Sequence, residues 1–490
     1  MICLVLSLIF IVYAAQILLY AVHMFQQNGY KNKVHASWVV KNYGKHFTRC
    51  FAEGNAKKPL VYTPRVIRLL VTTVLWFLII CVANRVFGDQ YSLLAIAVIY
   101  AFAVAPFAPI VSNIINRPIE ESIANGFKKK ALGALAEMTD LKVIGVTGSY
   151  GKTSVKFYLK ELLSAGYEVL ATPESYNTPM GVTRTINEML RPTHQIFICE
   201  MGARNVGDIK ELCDMVHPDY GIVTSIGPQH LESFRTIENI QGTKFELPDA
   251  VFEKTGGEAR IFLNIDNDYI ASYNKYAGAV TYSIKNGGSY SASDIKTGRG
   301  GTEFLLTAPD GSSCRYSMRL IGEHNVVNVV GAIAVSHELG IGLKELVLPV
   351  RRLNPVEHRL NLIEQGELTI IDDAYNSNPS GAEAALKTLS LFTEDIRVVV
   401  TPGMVELGSE QVRLNQEFGS KIADAADYAV IVDNTNTDAI KQGLMDKAFP
   451  AERLYIAPSF NEAMAYVRRI PGEARKTVLI ENDLTDNYTG

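Results

Sequence analysis

The segment Gly145-Val-Thr-Gly-Ser-Tyr-Gly-Lys-Thr-Ser154 predicts the local fold of this part of the chain. An apolar run from Leu141 to Val146 leads into it, and a run with helical spacing from Lys152 to Ser164 follows. The order of strand, glycine-rich turn and helix is typical of a phosphate-binding loop, because N–H groups at a helix N-terminus can cradle an anion. The residues predicted to hold phosphate are Gly148, Ser149, Tyr150, Gly151, Lys152, Thr153 and Ser154.

Residue types within this loop indicate the chemistry of the ligand. Lys152 would neutralise phosphate charge, and the hydroxyl of Thr153 or Ser154 could reach Mg²⁺. The match to the strict Walker pattern is incomplete, because Gly145 lies one residue too far from Gly151. We therefore expect a nucleotide site, with an ordinary strand–helix turn as the alternative.

Length, charge and cysteine content narrow the class of protein. A chain of 490 residues suits two or three domains, and a formal net charge of −4 gives no reason to expect a nucleic-acid partner. The six cysteines are scattered and form no CxxC pair. This distribution argues against a zinc site or a disulfide framework and fits a reducing compartment.

Three apolar runs near the N-terminus predict transmembrane helices at about residues 2–22, 67–83 and 91–115. Pro106 and Pro109 are expected to kink the third run. Lysine and arginine residues between the first two runs and after the third predict cytoplasmic catalytic domains and a multi-pass protein of the cell membrane. The basic loop 23–64 could lie on anionic headgroups or be merely solvated, and buried helices of a soluble core are the alternative for all three runs.

After residue 140, short apolar runs rich in β-branched residues alternate with helical patterns, which predicts an α/β fold with parallel sheets. Proline residues near 348–359 suggest a linker. The predicted domains are a membrane region at 1–125, a central ATP-binding domain at 126–348 and a C-terminal Rossmann-like domain at 349–490. The predicted strands are 142–146, 168–171, 195–199, 220–224, 261–264, 368–372, 397–401, 428–432, 454–457 and 477–480, with short antiparallel strands in 279–320 and a helix at 324–339.

Polar residues follow several of these strands, at the sheet edge where open α/β folds bind ligands. Glu200 directly follows an apolar strand, as an Mg²⁺-binding carboxylate of a nucleotide site should, although a surface acid would look the same. His230 follows the next strand and could reach the same region, or it could be an ordinary hydrogen-bonded loop histidine.

Seven ordered motifs together resemble the Mur ligase family, and most of all its branch that adds D-alanyl-D-alanine in peptidoglycan synthesis. They are Gly148-Ser-Tyr-Gly-Lys-Thr-Ser154, Tyr176-Asn-Thr-Pro-Met-Gly-Val182, Glu200-Met-Gly-Ala203, His230-Leu-Glu232, Thr243-Lys-Phe-Glu246, His324-Asn-Val-Val-Asn328 and Asp372-Asp-Ala-Tyr-Asn-Ser-Asn-Pro379. The segment Met404-Val-Glu-Leu-Gly408 is also similar to that branch. The resemblance covers roughly residues 141–480.

The resemblance implies ATP- and Mg²⁺-dependent amide formation through an acyl phosphate. It implies that Thr153 and Glu200 hold one Mg²⁺, that His230 helps to hold a second, and that Lys244 is a lysine that many members carbamylate. Nucleotide contacts are implied for Asn325, Arg359 and Asp373, with Lys152, His230, Lys244 and Arg359 as the catalytic set. The substrate-facing residues are expected to be Asn177, Thr178, Tyr375, Asn376 and Asn378, although Asn-Ser-Asn-Pro is also a good turn.

Two features depart from the family pattern. The usual N-terminal domain for the UDP-sugar end of the substrate has no counterpart, so the acceptor is expected to be either a small-molecule or a lipid-linked peptide precursor. The last predicted strand ends in Glu481-Asn-Asp-Leu484, where we expect a Lys-Gly-Ser-like segment in the soluble ligase. The expected partners are this precursor, a D-Ala-D-Ala-like amine and the membrane, without nucleic acid, and the oligomeric state stays open.

Two other functions remain compatible with the sequence. A polyglutamate or capsule-type ligase would also join a Mur-like ATPase to membrane segments. A non-catalytic, nucleotide-sensing membrane scaffold belongs to a different class, and the presence of Lys152, Glu200, His230 and Lys244 argues against it.

Overall fold

A computed structural model of the chain describes residues 2–44, 59–87, 90–257, 260–273, 275–375 and 377–482. The chain forms two compact units. The first extends to Gly126, and the second begins at Phe127.

The first unit is helical throughout its described secondary structure. Thr73 and Ser112 share a 2.6 Å hydrogen bond between two of its helices, and Arg68 donates two hydrogen bonds to Glu120, at 2.7 and 3.0 Å. Its helices, the last of which continues past Gly126, are Ile2–Gln27, Asn32–Lys41, Pro64–Phe87, Gln90–Ile99 and Ala108–Ala136, with a π-helical turn at Tyr100–Val104.

Membrane-spanning potential is more limited in the structure than the sequence predicted. By length and composition, two of the described helical segments could cross a membrane, Val5–Gln27 and Pro64–Asn84. The third predicted span is not one straight helix, because Leu94–Val104 and the helix starting at Ala108 meet at a bend of 83°. Pro106 lies in the break, as expected of a residue that lacks a backbone N–H donor. The predicted multi-pass localisation is corrected here, because two straight apolar helices and one bent pair, judged by length and composition, do not show it. Part of the basic loop, residues 45–58, lies outside the described residues.

A nine-stranded sheet forms the centre of the second unit, in the order β2-β3-β1-β4-β5-β6-β7-β8-β9. Neighbouring strands are parallel from β2 to β7, and β7, β8 and β9 pair antiparallel. The strands are β1 Lys142–Thr147, β2 Val169–Ala171, β3 Ile196–Glu200, β4 Tyr220–Val223, β5 Ile261–Asn264, β6 Val280–Ser283, β7 Tyr290–Gly298, β8 Gly301–Thr307 and β9 Ser313–Met318.

Helices cover both faces of this sheet, so that β1 and β3 are buried on each side and read as continuous apolar runs. One core contains Leu159 and Val329, and the other contains Phe197 and Phe245. The helices of this part are Lys152–Leu163, Pro179–Met189, Asp208–Val216, Leu231–Phe234, Ile237–Thr255, Asp268–Ala271, Glu323–Glu338 and Val347–Arg352.

A six-stranded sheet follows, in the order β10-β11-β15-β12-β13-β14. Only β10 pairs antiparallel, with β11. Its strands are β10 Asn361–Gln365, β11 Leu368–Asp373, β12 Ile396–Thr401, β13 Tyr428–Val432, β14 Leu454–Ala457 and β15 Lys476–Glu481. The helices around it are Pro379–Leu389, Gln411–Ala425, Thr437–Asp446 and Phe460–Arg469, with 3₁₀ turns at Gly408–Glu410 and Ala451–Arg453.

All ten individually predicted strands are confirmed to within one residue at each end, and most of them are apolar runs buried inside a sheet. Three details differ from the expectation. The strand β10 was not predicted, since its residues are only half buried and carry no clear alternation. The expected linker begins with a short helix, Val347–Arg352. In residues 279–320 the strands β6 and β7 extend the parallel sheet, and only the pairs of β8 are antiparallel.

Candidate active site

The predicted phosphate loop lies between the end of β1 and the helix that begins at Lys152. Gly148 and Gly151 have φ angles of 149° and 77°, which side-chain-bearing residues rarely adopt. A Cβ atom at Gly148 would also collide with Thr224. Ser149 Oγ donates a 3.1 Å hydrogen bond to the Gly227 carbonyl, so the loop is attached to the segment after β4.

Lys152 points back into the loop. Its Nζ donates hydrogen bonds to the carbonyls of Gly148, at 2.7 Å, and Ser149, at 3.1 Å. Burial lowers the pKa of Lys152 to about 8; the neighbouring Glu200 opposes this shift and Arg359 adds to it. A cation that is held in the loop and shielded from water is well placed to receive phosphate oxygens.

Glu200 forms the centre of a buried group that we call the Glu200 cluster, comprising Thr153, Lys156, Asn177 and Glu200. The Oε1 atom of Glu200 accepts hydrogen bonds from Thr153 Oγ1, at 3.1 Å, and from Asn177 Nδ2, at 2.9 Å. Lys156 Nζ lies 3.0 Å from Oε2, and both charged side chains are almost fully buried. Burial lowers the pKa of Lys156, and Glu200 opposes that shift. The structure thus brings the two predicted ligands of the first Mg²⁺ together.

The geometry of Glu200 fits a metal-binding carboxylate. Lys156 Nζ balances the charge at Oε2 from 3.0 Å, but among the described residues no donor meets this buried oxygen with good hydrogen-bond geometry. A buried oxygen without a donor is costly unless a ligand satisfies it. The described residues contain no group of three or more histidine, cysteine, aspartate or glutamate side chains that could hold a metal by themselves. The remaining ligands would therefore come from Thr153 and from the phosphates.

Lys244 is buried in the helix Ile237–Thr255. Burial and then the nearby positive charge of Lys152 hold the pKa of Lys244 well below its usual range. A lysine in this environment loses its proton more readily than an exposed lysine, and the uncharged amine is the form that reacts with electrophiles.

His230 follows β4 and contacts the C-terminal part of the second unit. Its Nδ1 is 2.5 Å from Glu406 Oε2, and Arg204 Nη2 is 3.8 Å from Glu406 Oε1. Glu406 belongs to the segment Met404–Gly408 that sequence comparison singled out, but sequence reasoning gave it no role. The position of Glu406 within that segment is the only signal that could have identified it.

A cavity of about 760 Å³ lies between the two sheets of the second unit. Thr153, Tyr176, Arg359 and Tyr375 are among the residues that line it. The guanidinium of Arg359 lies 4.3 Å from the centre of the Tyr375 ring, and the Tyr375 hydroxyl donates a 2.7 Å hydrogen bond to Ser175 Oγ. The structure therefore brings Arg359 and Tyr375 to the same cavity as Thr153, at the start of the helix that follows the phosphate loop.

Asp373 belongs to a second buried group that we call the Glu481 cluster, comprising Arg359, Asp373, Ser377 and Glu481. Asp373 and Glu481 are register partners at the ends of the parallel strands β11 and β15. Burial raises the pKa of Asp373 to about 6, although Arg359 opposes the shift. Burial and then the Asp373 charge raise the pKa of Glu481 well above its usual range, and Ser377 Oγ donates a hydrogen bond to Glu481 Oε1.

Other predicted residues have mainly structural contacts. Thr178 and Asn378 are N-caps, which accept hydrogen bonds from the backbone N–H groups of Gly181 and Gly381 at 3.3 and 2.8 Å. Asn325 is buried at the start of its helix, where its Oδ1 accepts a 2.9 Å hydrogen bond from the Tyr158 hydroxyl. Tyr150 and Ser154 lie in and after the loop, and Asn376 lies outside the described residues.

Lys156 is the clearest functional residue that sequence reasoning missed. It lies one helical turn after Lys152, and the i, i+4 spacing placed both lysines on one side of that helix. Two lysines four positions apart, on a helix that starts at a phosphate loop, were the available signal. Their different partners, the loop carbonyls and Glu200, appear only in three dimensions.

Comparisons with known proteins match this architecture. The Mur ligase middle domain matches residues 146–336, and the Mur ligase glutamate ligase domain matches residues 358–481. The UDP-N-acetylmuramoyl-tripeptide--D-alanyl-D-alanine ligase of Mycobacterium leprae is 32% identical over 359 residues, which are 67% of this chain and 68% of that protein. The ligase of the same name from Mycobacterium bovis is 32% identical over 331 residues, 64% of each chain.

A crystal structure of MurF from Acinetobacter baumannii superposes with a TM-score of 0.66 at 26% identity, and it covers 73% of this chain and 77% of that one. This chain spans about 64% of the length of the Mycobacterium bovis relative. The curated relatives are named as ligases of a UDP-linked substrate, which also contradicts the predicted multi-pass localisation. With both domain matches and the Mycobacterium leprae relative in agreement, the chain belongs to the Mur ligase family.

Proposed function

We propose that this protein is an ATP-dependent C–N ligase that activates a carboxylate as an acyl phosphate and joins it to D-Ala-D-Ala or a similar amine in peptidoglycan precursor synthesis. The observation that carries this proposal is that Thr153, which follows the phosphate loop and donates a hydrogen bond to Glu200, lines the same cavity as Arg359. The names of the relatives, which specify a muramoyl tripeptide and D-alanyl-D-alanine, support the choice of substrates.

The reaction needs two transfers. A carboxylate oxygen of the acceptor first attacks the γ-phosphorus of ATP, so that the bond to the β-phosphate oxygen breaks and ADP leaves. The amine nitrogen then attacks the acyl carbon, phosphate leaves and the nitrogen loses a proton. Phosphoryl transfer depends on positioning and charge neutralisation. Lys152, the loop N–H groups and Arg359 would supply both.

Two Mg²⁺ ions would be held by residues of the site. The first would use Thr153 and Glu200, and the second would use His230 and a carbamate on Lys244. The lowered pKa of Lys244 supports carbamate formation, because an uncharged amine can add to CO₂ and become an anion. These ions would supply neutralisation of the charge that develops on the transferred phosphoryl group.

Substrate contacts and domain limits follow from the same proposal. Residues 126–348 would form the ATP-binding domain and 349–490 the ligase domain that closes over the nucleotide. Asn325 and Asp373 would face the nucleotide, and Tyr375, Asn376 and Asn378 the amine. Asn177 and Thr178 would face the acceptor. The acceptor would be a UDP-linked muramyl tripeptide, with a lipid-linked form as the alternative.

The test uses the purified full chain with ATP, Mg²⁺ and D-Ala-D-Ala, and either UDP-linked or lipid-linked muramyl tripeptide. We expect release of ADP and formation of the pentapeptide with the UDP-linked acceptor. Parallel reactions with L-glutamate in place of D-Ala-D-Ala test a polyglutamate-type activity. If no acceptor and amine pair gives ADP above background, the proposal is wrong.

Lys152→Ala tests the site assignment in the same assay. Loss of this cation should abolish substrate-driven ADP release, because the Gly148 and Ser149 carbonyls hold the Lys152 ammonium group in the loop where phosphate would bind. Lys447→Ala is the matched control, since Lys447 is exposed and pairs with Asp424. Unchanged ADP release in Lys152→Ala would contradict the assignment.

A further inference from the structure

The contact between His230 and Glu406 joins residues that are 176 positions apart in the chain. His230 follows β4 in the central part of the second unit, and Glu406 follows β12 in the C-terminal part. An ionised carboxylate can only accept hydrogen bonds, so at 2.5 Å from Glu406 Oε2 the Nδ1 atom must carry the proton. In the neutral ring the other nitrogen, Nε2, is then the one available to bind a cation.

The backbone at both residues is unusual. His230 and Glu406 have φ angles of 53° and 62°, in the left-handed region that residues with a Cβ atom rarely occupy. Such conformations persist where surrounding contacts determine them, and they are frequent at functional sites. Here His230 and Glu406, the two residues with positive φ angles, are the two partners of one hydrogen bond.

Neighbouring residues hold Glu406 in this orientation. Arg204 Nη2 lies 3.8 Å from the second carboxylate oxygen. Gly408, two residues after Glu406, lies against the backbone of Glu232, two residues after His230. The two chain segments therefore meet over several residues, and the carboxylate is directed at the imidazole rather than swinging in solvent.

We propose that Glu406 is a positioning residue for His230, which fixes the ring tautomer and directs Nε2 toward a divalent cation. This inference rests on the proposed function, in which His230 helps to bind the second Mg²⁺. Histidine ligands commonly donate their other ring N–H to a carboxylate, which orients the ring and increases its basicity. Because the carboxylate comes from the C-terminal part of the unit, the cation site is complete only when that part is closed against the central part.

The experiment measures metal affinity directly, with Mn²⁺ as the probe and electron paramagnetic resonance of the full chain in the presence of a non-hydrolysable ATP analogue. Glu406→Ala should weaken the weaker Mn²⁺ site about 10–100-fold and leave the tighter one unchanged. Glu406→Gln should lose less affinity, because its amide oxygen still accepts from Nδ1. Glu410→Ala is the matched control, since Glu410 lies four residues away and pairs with Arg413.

A double-mutant cycle separates positioning from a structural contact. In a His230→Ala background, Glu406→Ala should cause no further loss of Mn²⁺ affinity, because the ring that it orients is gone. An equal loss in both backgrounds would overturn the inference, as would normal binding in Glu406→Ala. Normal binding in His230→Ala would also overturn it, while the ligase assay could still succeed, so failure here and failure of the proposed function are distinguishable.

Discussion

The Glu200 cluster and the Glu481 cluster each lie at the carboxyl end of a parallel strand in one of the two sheets. They stabilise a buried carboxylate in opposite ways. Glu200 ends β3 and is paired with the cation Lys156 at 3.0 Å. Glu481 ends β15 and faces a second acid, Asp373, with a hydroxyl donor from Ser377. A buried carboxylate needs an opposite charge or a proton. The first cluster is therefore suited to exchange one cation for another, whereas the second is suited to hold a proton.

Removal of the lysine tests the first half of this comparison. Lys156→Met should lower the free energy of unfolding by about 3–5 kcal/mol, because it leaves the Glu200 carboxylate buried without its cation. Urea unfolding of the full chain measures the change, and Lys156→Met combined with Glu200→Gln should recover much of it. Lys210→Met, at an exposed pair with Asp214, should change stability by less than about 0.5 kcal/mol. A loss below about 1 kcal/mol in Lys156→Met would contradict the prediction.

The same glutamate-to-glutamine substitution can be made in both clusters. Glu200→Gln should reduce kcat/KM about 100–1000-fold, since it removes a charge that would hold the metal at the transferred phosphate. Steady-state ADP release measures this effect. Glu481→Gln serves as the matched variant and should retain activity within about tenfold. Equal losses in the two variants would mean that the clusters do not differ in function.

Stability against pH tests the proton in the Glu481 cluster. The pKa values of Asp373 and Glu481 are higher in the folded than in the unfolded state. The stability that these two groups contribute is therefore fully present below about pH 4. It is lost as the pH rises, through about pH 6 for Asp373. Glu481→Gln removes the need for that proton. Its melting temperature should exceed that of the wild type by a few degrees at pH 8.

Thermal unfolding at both ends of the pH range decides this point. The advantage of Glu481→Gln should shrink toward zero near pH 4, where the wild-type pair is protonated. An advantage of the same size at pH 4 and pH 8 would contradict proton sharing and would indicate a packing effect instead.

The smallest effect is expected at Tyr375, which lies between the two clusters. Tyr375→Phe removes the hydrogen bond to Ser175 but keeps the ring beside Arg359, so stability should fall by only about 0.5 kcal/mol. Tyr375→Ala removes both contacts, and the KM for ATP should rise more than in Tyr375→Phe. Equal KM values in the two variants would show that the ring does not help to place Arg359.

Much of this site could be predicted from the sequence because its parts are local. The loop 145–154, with its glycines at positive φ, depends on neighbouring residues and on a strand and helix that adjoin it. The position of Glu200 after an apolar strand sufficed to place it beside Thr153, since parallel strands bring their carboxyl ends to one edge. The prolines of the third apolar run also predicted a bend there, whereas its size, 83°, is known only from the structure.

By itself, the sequence determined the alternation of strands and helices, the phosphate loop and the family, since each depends on residue types at short spacing or in a fixed order. Only the tertiary structure decided that Lys156 pairs with Glu200, that Glu406 holds His230 and that Glu481 faces Asp373. These contacts join residues 44, 176 and 108 positions apart. Their existence depends on strand register, on the direction of each side chain and on the meeting of two sheets, which spacing along the chain does not encode.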